Sequence, residues 1–338
     1  MKSTLRKIIE RILKYKKFCM ILFILLVVSI PMLNFSSYIM RILILGGIYI
    51  VLALSLNLLT GFTGQVSLGH AAFYGIGAYT SALLSLKFGY SFLITATCGG
   101  IMAAMFGVLL GSPTLKLQGS YLSIVTLGFC EIARIIELNW MGLTRGPLGI
   151  PGIPSPKIFR FIIEKDRDYY YLIVVLIVIT IFVIKNIINS KTGRAMIAIR
   201  EDDIAAEAMG INIFKYKLLA FTISAFFAGL AGSFYAHYVT FIDPQSFTFD
   251  ESIQILSMVI LGGMGSIPGT IIGALVLVSI PEILRSVQEY RMVLYGIVLV
   301  VMMLVRPQGL FGDINLTKII NKMTSNKNDK EEEVGKNA

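Results

Sequence analysis

Two kinds of side-chain cluster break an otherwise apolar sequence. The first lies within residues 185–217, where Arg200, Glu201, Asp202, Asp203 and Glu207 crowd into one short stretch. Dense charge of both signs serves ion pairing and docking to another polypeptide. Helical spacing puts Ile197, Ile204, Ala208 and Ile211 on one stripe and Arg200, Asp203 and Glu207 on another. Asp202 or Asp203 can cap a short helix, and Gly210 can end it in a left-handed turn. Slung between two apolar runs, such a helix must set its stripe against lipid, a neighbouring loop or another protein. An ordinary solvated loop carries the same pattern.

The second kind is polar and glycine-rich. Residues 60–79 read TGFTGQVSLGHAAFYGIGAY. Each glycine inside a helix costs about 1 kcal/mol against alanine, so the spacing predicts a helix break near Gly61, Gly64 and Gly69. Backbone that is broken at membrane depth must be buried in protein or line a cavity. Gln65, Ser67 and His70 are then polar groups at the break, open either to a passing substrate or to hydrogen bonds between helices. A shorter parallel occurs at Gly263-Met-Gly265-Ser266, which like Gly64-Gln-Val-Ser67 follows an apolar run. Paired interruptions of this kind mark the path in transporters built from repeats. Glu131, Arg134 and Glu137 stand three residues apart within another apolar run. Ionisable groups in a span face the interior or pair, and Arg134 is spaced to bridge both acids.

Several chemistries are excluded. No G-x-x-x-x-G-K-[ST] loop occurs, and Lys191-Thr192 lacks the preceding glycines, so this chain binds no nucleotide cofactor of its own. His70 and His237 are the only histidines, without zinc-hydrolase spacing. Cys19, Cys98 and Cys130 each lie in an apolar run and read as packing residues.

The elements that must hold these groups are membrane spans. Of 338 residues 56% are hydrophobic, above the range of soluble domains. The net charge of +10 is concentrated at the N-terminus, the central loop and the C-terminal tail, which is the positive-inside pattern and not a nucleic-acid groove. Residues 1–17 form a basic amphipathic N-terminus, either a helix on the membrane surface or a flank that orients the first span. Residues 18–31 read as an uncleaved anchor. Apolar runs follow at 39–59, 68–86, 92–111, 121–138, 169–185 and 218–238, each near the roughly 20 residues that cross about 30 Å of hydrocarbon. Counting from a cytoplasmic N-terminus puts 185–217 in the cytoplasm, and 239–251, with acids but no Lys or Arg, outside. Residues 140–168 are an external cap broken by Pro147, Pro151, Pro154 and Pro156. Residues 252–284 form two short crossings or a re-entrant hairpin, and 290–305 returns the chain to the cytoplasm. Residues 313–338 are a polar cytoplasmic tail. The expectation is an all-α polytopic membrane helix bundle of about 8–10 transmembrane helices with interrupted or re-entrant segments, its permease domain covering 18–312.

Four stretches carry a resemblance: GQVSLGHAAFYGIGAY from Gly64, GRAMIAIREDDIAAEAMGI from Gly193, GGMGSIPGTIIGA from Gly262, and GLFG from Gly309. They resemble the signatures of branched-chain amino-acid ABC-transporter permeases, and the long 193–211 loop resembles the longer of that family's two permease types. The resemblance implies an importer of Leu, Ile and Val in the cell membrane. Its partners would be a second homologous permease, two cytoplasmic ATPases that use the ATP, and an extracytoplasmic solute-binding protein. A urea or short-chain amide importer shares much of the pattern, and a stand-alone secondary transporter or channel is the reading from another class. Ala205, Ala206 and Gly210 also resemble the E-A-A-x-x-x-G coupling motif of importer permeases, with Ile204 in place of its glutamate. The resemblance thus makes Arg200–Gly210 the ATPase-coupling loop.

Overall fold

The computed structural model describes residues 36–114, 121–158 and 161–283, with Pro31, Val293, Gly296, Ile297 and Val300. The amphipathic N-terminus, the anchor apart from Pro31, most of the returning segment 290–305, the polar tail and the Gly309 motif lie outside the described residues.

Among those residues the chain forms eleven α-helices. They are α1 (Ser37–Thr63), α2 (His70–Phe88), α3 (Phe92–Thr114), α4 (Tyr121–Asn139), the single turn α5 (Met141–Thr144), α6 (Asp166–Asn189), α7 (Lys191–Glu201), α8 (Asp203–Ala208), α9 (Ile213–Val239), α10 (Phe249–Gly262) and α11 (Ile267–Ile283). Every apolar run from 39 to 284 becomes a helix or helix pair. α1, α3, α6 and α9 are long and apolar enough to cross a membrane. At 1.5 Å per residue, the 27 residues of α1 measure about 40 Å. α1 is also the axis of the bundle, with 78% of its most apolar window buried, against 17% for α6 on the periphery.

Small residues let the helices close on one another. α9 runs along α1, α2 and α3. Its ladder Ala225, Gly229 and Ser233 meets α3 and α2: a Cβ on Gly229 would stand 2.6 Å from Ala103 Cβ, and Ser233 Oγ donates to Gly77 O at 3.1 Å. This is how membrane helices gain contact without a hydrophobic drive between them. A buried aromatic layer, including Phe73 edge-on to Phe221 at 5.6 Å, fills the space between the ladders.

One end of the bundle carries α7 and α8 and is called here the loop end. The opposite, cap end carries residues 140–165, which hold α5, a 3₁₀ turn at Gly146–Leu148 and short strands β1 (Ile150–Pro151), β2 (Lys157–Ile158) and β3 (Phe161–Ile162). β1 pairs antiparallel with β4 (Phe241–Ile242), just past α9. Buried His237 fixes the cap, with Nδ1 2.7 Å from Pro154 O and Nε2 3.0 Å from Ser81 Oγ. The prolines thus give an irregular cover, as their φ restriction requires.

The interrupted region forms two helices, α10 and α11, joined at the Gly263–Ser266 break. Phe241 pairs with Pro151 in the cap, while Gly265 N donates to Asn57 Oδ1 at 2.8 Å near the loop end of α1. The chain between them therefore runs the depth of the bundle, and α11 carries it back.

Candidate functional site

The two glycine-rich breaks meet the charged loop at one place. α1 continues through Gly61 and ends at Thr63, so the first break begins one turn later than its glycines suggest. Gly64 caps α1 in the left-handed region, with φ +73°, which favours glycine. The second break follows α10, with Gly263 and Gly265 at φ +104° and +82°. Asn57 joins the two: its Oδ1 accepts from Gly265 N at 2.8 Å and its Nδ2 donates to Ser266 O at 3.4 Å. A Cβ at Gly61 would collide with both Asn57 Oδ1 and Gly265 N, so the approach depends on a bare backbone there.

Arg200 closes the junction from the loop side. Its Nη1 donates to Gly61 O at 2.8 Å. Its Cγ lies 3.2 Å from where a Cβ on Gly64 would stand, and its Nη1 3.0 Å from the same point on Gly265. Glu201 Oε1 accepts from Nε and Nη2 of the same guanidinium and neutralises it. A charge-assisted bond to a carbonyl at the last turn of α1 satisfies a helix-end oxygen that has no partner within its own helix. One side chain from the loop thus touches both breaks.

The loop itself is two helices, not one. Asp202 leaves helical geometry and accepts from Ala205 N at 3.0 Å as the cap of α8, and Gly210 reverses the chain at φ +81°. The kink at Asp202 breaks the continuous Ile197–Ile211 stripe. Met196 and Ile199 of α7 pack inward with Ala195, and Ala206 of α8 is buried at 4% exposure. Ile204 and Met209 instead project outward at 81% and 83% exposure, the most exposed large apolar side chains among the described residues. Ala206 therefore supports the loop from within, while Ile204, Ala205, Ala208 and Met209 form the surface open to a partner. Glu207 is exposed beside them. Asp203 accepts from Lys217 Nζ at 3.1 Å, tying α8 to the start of α9 and holding its carboxyl below the usual carboxylate range.

The polar groups of the first break separate by environment. His70 begins α2 with its Nε2 2.8 Å from Ser55 Oγ, eight residues and about 12 Å along α1 from its end. Residues 64–69 therefore climb back into the depth of the bundle as extended chain. His70 and Ser67 are buried, and Ser67 Oγ accepts from Gly69 N at 3.4 Å, so both serve structure. Gly69 lies against the Thr126 backbone of α4, too close for a Cβ. Gln65 differs: it is 5% exposed, and neither amide atom finds a partner among the described residues. At the same depth as His70, Ala71 N donates to Ser252 Oγ at 2.9 Å, so the first turns of α2 and α10 meet inside the bundle.

Glu131, Arg134 and Glu137 correct one expectation. Arg134 pairs with Glu131 alone, at 2.7 Å. Glu137 is turned into the bundle, is 7% exposed, and leaves Oε2 unpartnered. At about 100° per residue both acids stand about 60° from Arg134 and about 120° from each other, so spacing alone does not choose between them; packing of Glu137 against Gly75 beside Phe247 does. No group of three or more His, Cys, Asp or Glu that could hold a metal occurs among the described residues.

A polytopic helix bundle with paired glycine breaks, tied to a charged loop with an exposed apolar tip, defines a membrane permease. Residues 38–303 match the family described as the permease component of branched-chain amino acid transport systems, and the chain belongs to that family. It is 43% identical over 286 residues, 78% of this chain and 67% of the relative, to the high-affinity branched-chain amino acid transport system permease protein LivM of Escherichia coli K12. It is 27% identical to the corresponding LivH protein of Salmonella typhimurium, over 81% of this chain and 94% of that one. A probable LivM of Methanocaldococcus jannaschii is 26% identical over 80% of this chain and 92% of its own length. No solved structure matches the chain.

Proposed function

We propose that this chain is a translocating subunit of an ATP-driven importer of branched-chain amino acids, acting with a second homologous permease, two cytoplasmic ATPases and an extracytoplasmic solute-binding protein. The loop end faces the cytoplasm, as do both termini, and the cap end faces the binding protein. ATP belongs to the partner subunits, and this chain contributes only the path and its coupling. The observation that carries the reading is the outward pair Ile204 and Met209 on a loop whose Arg200 touches both helix breaks. An apolar tip of this kind suits a cleft on an ATPase. Closure of the ATPase pair then pushes α8, and Asp203–Lys217 and Arg200 pass the displacement to α9 and to the two breaks. Energy is transmitted only if these contacts differ between two states.

The test replaces Ile204 and Met209 together by Glu. Neither side chain packs into the bundle, so the permease should insert and fold, while its ATPase no longer co-purifies and leucine uptake is lost. Retention of the ATPase and of wild-type uptake would remove the docking role. Orientation is checked separately by single cysteines at Lys191 and Gln245, in a background without Cys19, Cys98 and Cys130, using an impermeant thiol reagent. Labelling at 191 from outside intact cells would reverse the topology.

A further inference from the structure

The loop-end junction leaves unexplained a set of groups deeper toward the cap. Glu137 Oε2 on α4 and the Tyr79 hydroxyl on α2 are both buried without a hydrogen-bond partner among the described residues. Gly75 and Tyr79 are four residues apart and share one face of α2. A Cβ on Gly75 would stand 2.9 Å from Glu137 Oε1 and 3.0 Å from Phe247 Cγ, so the carboxylate and the Phe247 ring rest on one patch of bare backbone. Phe247 is itself ringed by tyrosines, with centroids 5.1 Å from Tyr74, 5.9 Å from Tyr79 and 6.2 Å from Tyr235. It is 1% exposed and ends the 3₁₀ turn Pro244–Phe247, which Asp243 caps by accepting from Ser246 N and Oγ.

These groups fit one chemistry. A carboxylate left without a partner in an apolar interior is expensive and persists where function requires it. Aromatic faces around a carboxylate attract an organic cation through their quadrupoles, and the carboxylate supplies the charge and hydrogen-bond acceptors that an ammonium group needs. Among the described residues, no three carboxylates, thiols or imidazoles gather as a metal would require. Phe247 stands among the tyrosines on a short turn of the cap loop.

We infer that Glu137, with Tyr79, Tyr74 and Tyr235, forms the subsite that receives the α-ammonium group of an amino acid during its passage, entered when Phe247 withdraws. This inference rests on the amino-acid import proposed above and specifies where in the bundle the substrate's positive end is held. Glu137 would accept hydrogen bonds from the ammonium, and the tyrosine rings would face its charge. Gly75 would keep the wall flat enough for both.

The test uses the assembled wild-type complex in lipid nanodiscs without binding protein. A hydrophobic carbodiimide modifies buried carboxylates, and peptide mass spectrometry reads its attachment at Glu137. Leucine, isopentylamine and 4-methylpentanoate are compared as protectants, since they carry both charges, only the cation and only the anion. Leucine and isopentylamine should slow modification, about fivefold at four times their Kd, and 4-methylpentanoate should not. Glu137→Gln should assemble and lower leucine uptake by about tenfold or more, with Tyr79→Phe weaker at about threefold. Equal protection by all three compounds, protection by none, or wild-type uptake in Glu137→Gln would each overturn the subsite. If the wild-type system imports no leucine yet isopentylamine protects Glu137, the cation subsite stands and the branched-chain reading fails.

Discussion

The loop-end junction and the cap-side cluster are both built on glycines of helices in the same bundle, yet the side chains that bridge the two breaks, Asn57 and Arg200, are paired, while the cap-side acid and phenol, like Gln65 beside the first break, are not. At the junction, Asn57 donates and accepts across the second break and Arg200 is shared between Gly61 O and Glu201. In the cap-side cluster, Glu137 Oε2 and Tyr79 OH have no partner among the described residues. A saturated network is stiff, because each member fixes the next. An unsaturated one is held ready for a group that arrives from elsewhere. On the readings proposed above, the first cluster would transmit movement and the second would meet the substrate.

The largest expected effect breaks the stiff side. Gly61→Leu would force Asn57 and the Gly265 backbone apart, and overpacking of this kind costs about 1–3 kcal/mol. Uptake should fall to background and the thermal midpoint of the complex should drop. Wild-type uptake from an assembled Gly61→Leu complex would show that the breaks move independently. Arg200→Ala comes next. It strips the partner from Gly61 O, at about 1–3 kcal/mol for a buried acceptor, but leaves the outward face of α8 intact. The variant should keep its ATPase and hydrolyse ATP while uptake falls by about an order of magnitude, the signature of uncoupling. Uptake in proportion to ATP hydrolysis would assign transmission to another contact.

Gly64→Val probes the same region by backbone strain and by crowding Arg200. A β-branched residue at φ +73° costs on the order of 1–3 kcal/mol, so uptake should drop severalfold with assembly preserved. Ser55→Ala tests the buried His70 link, where loss of one hydrogen bond is worth about 1 kcal/mol. A lower midpoint with unchanged transport kinetics is expected, since both groups are buried and satisfied by each other. A change in substrate KM would instead draw His70 into the site.

The smallest effect concerns Asp203. Its carboxyl is lowered by Lys217, so the pair's contribution is complete above the free carboxylate's value near about 3.9 and is lost only as pH falls through the lower folded value. Between pH 5 and pH 8 the pair adds no pH dependence. Asp203→Asn should shift stability by only about 0.2–1 kcal/mol, as for other partly exposed ion pairs, measured by thermal melts at both pH values.

Much of this protein was decided by its sequence. Apolar runs of span length, parted by charge or proline, became helices close to their expected ends because in lipid the backbone has no partner other than itself. Gly64 and Gly263, Asp202 as a cap and Gly210 as a terminator are local events, set by φ and by short-range hydrogen bonds, and were legible residue by residue. The direction each side chain takes was not. Ile204 and Ala206, two residues apart on α8, must face opposite sides; the kink at Asp202, which turned α8 against α7, decided that Ala206 faces inward. Arg134 chose Glu131 and abandoned Glu137 to the interior, and Arg200 reached Gly61, 139 residues away in the chain. Those outcomes depend on which helices become neighbours, and tertiary packing alone brings together groups that the sequence holds far apart.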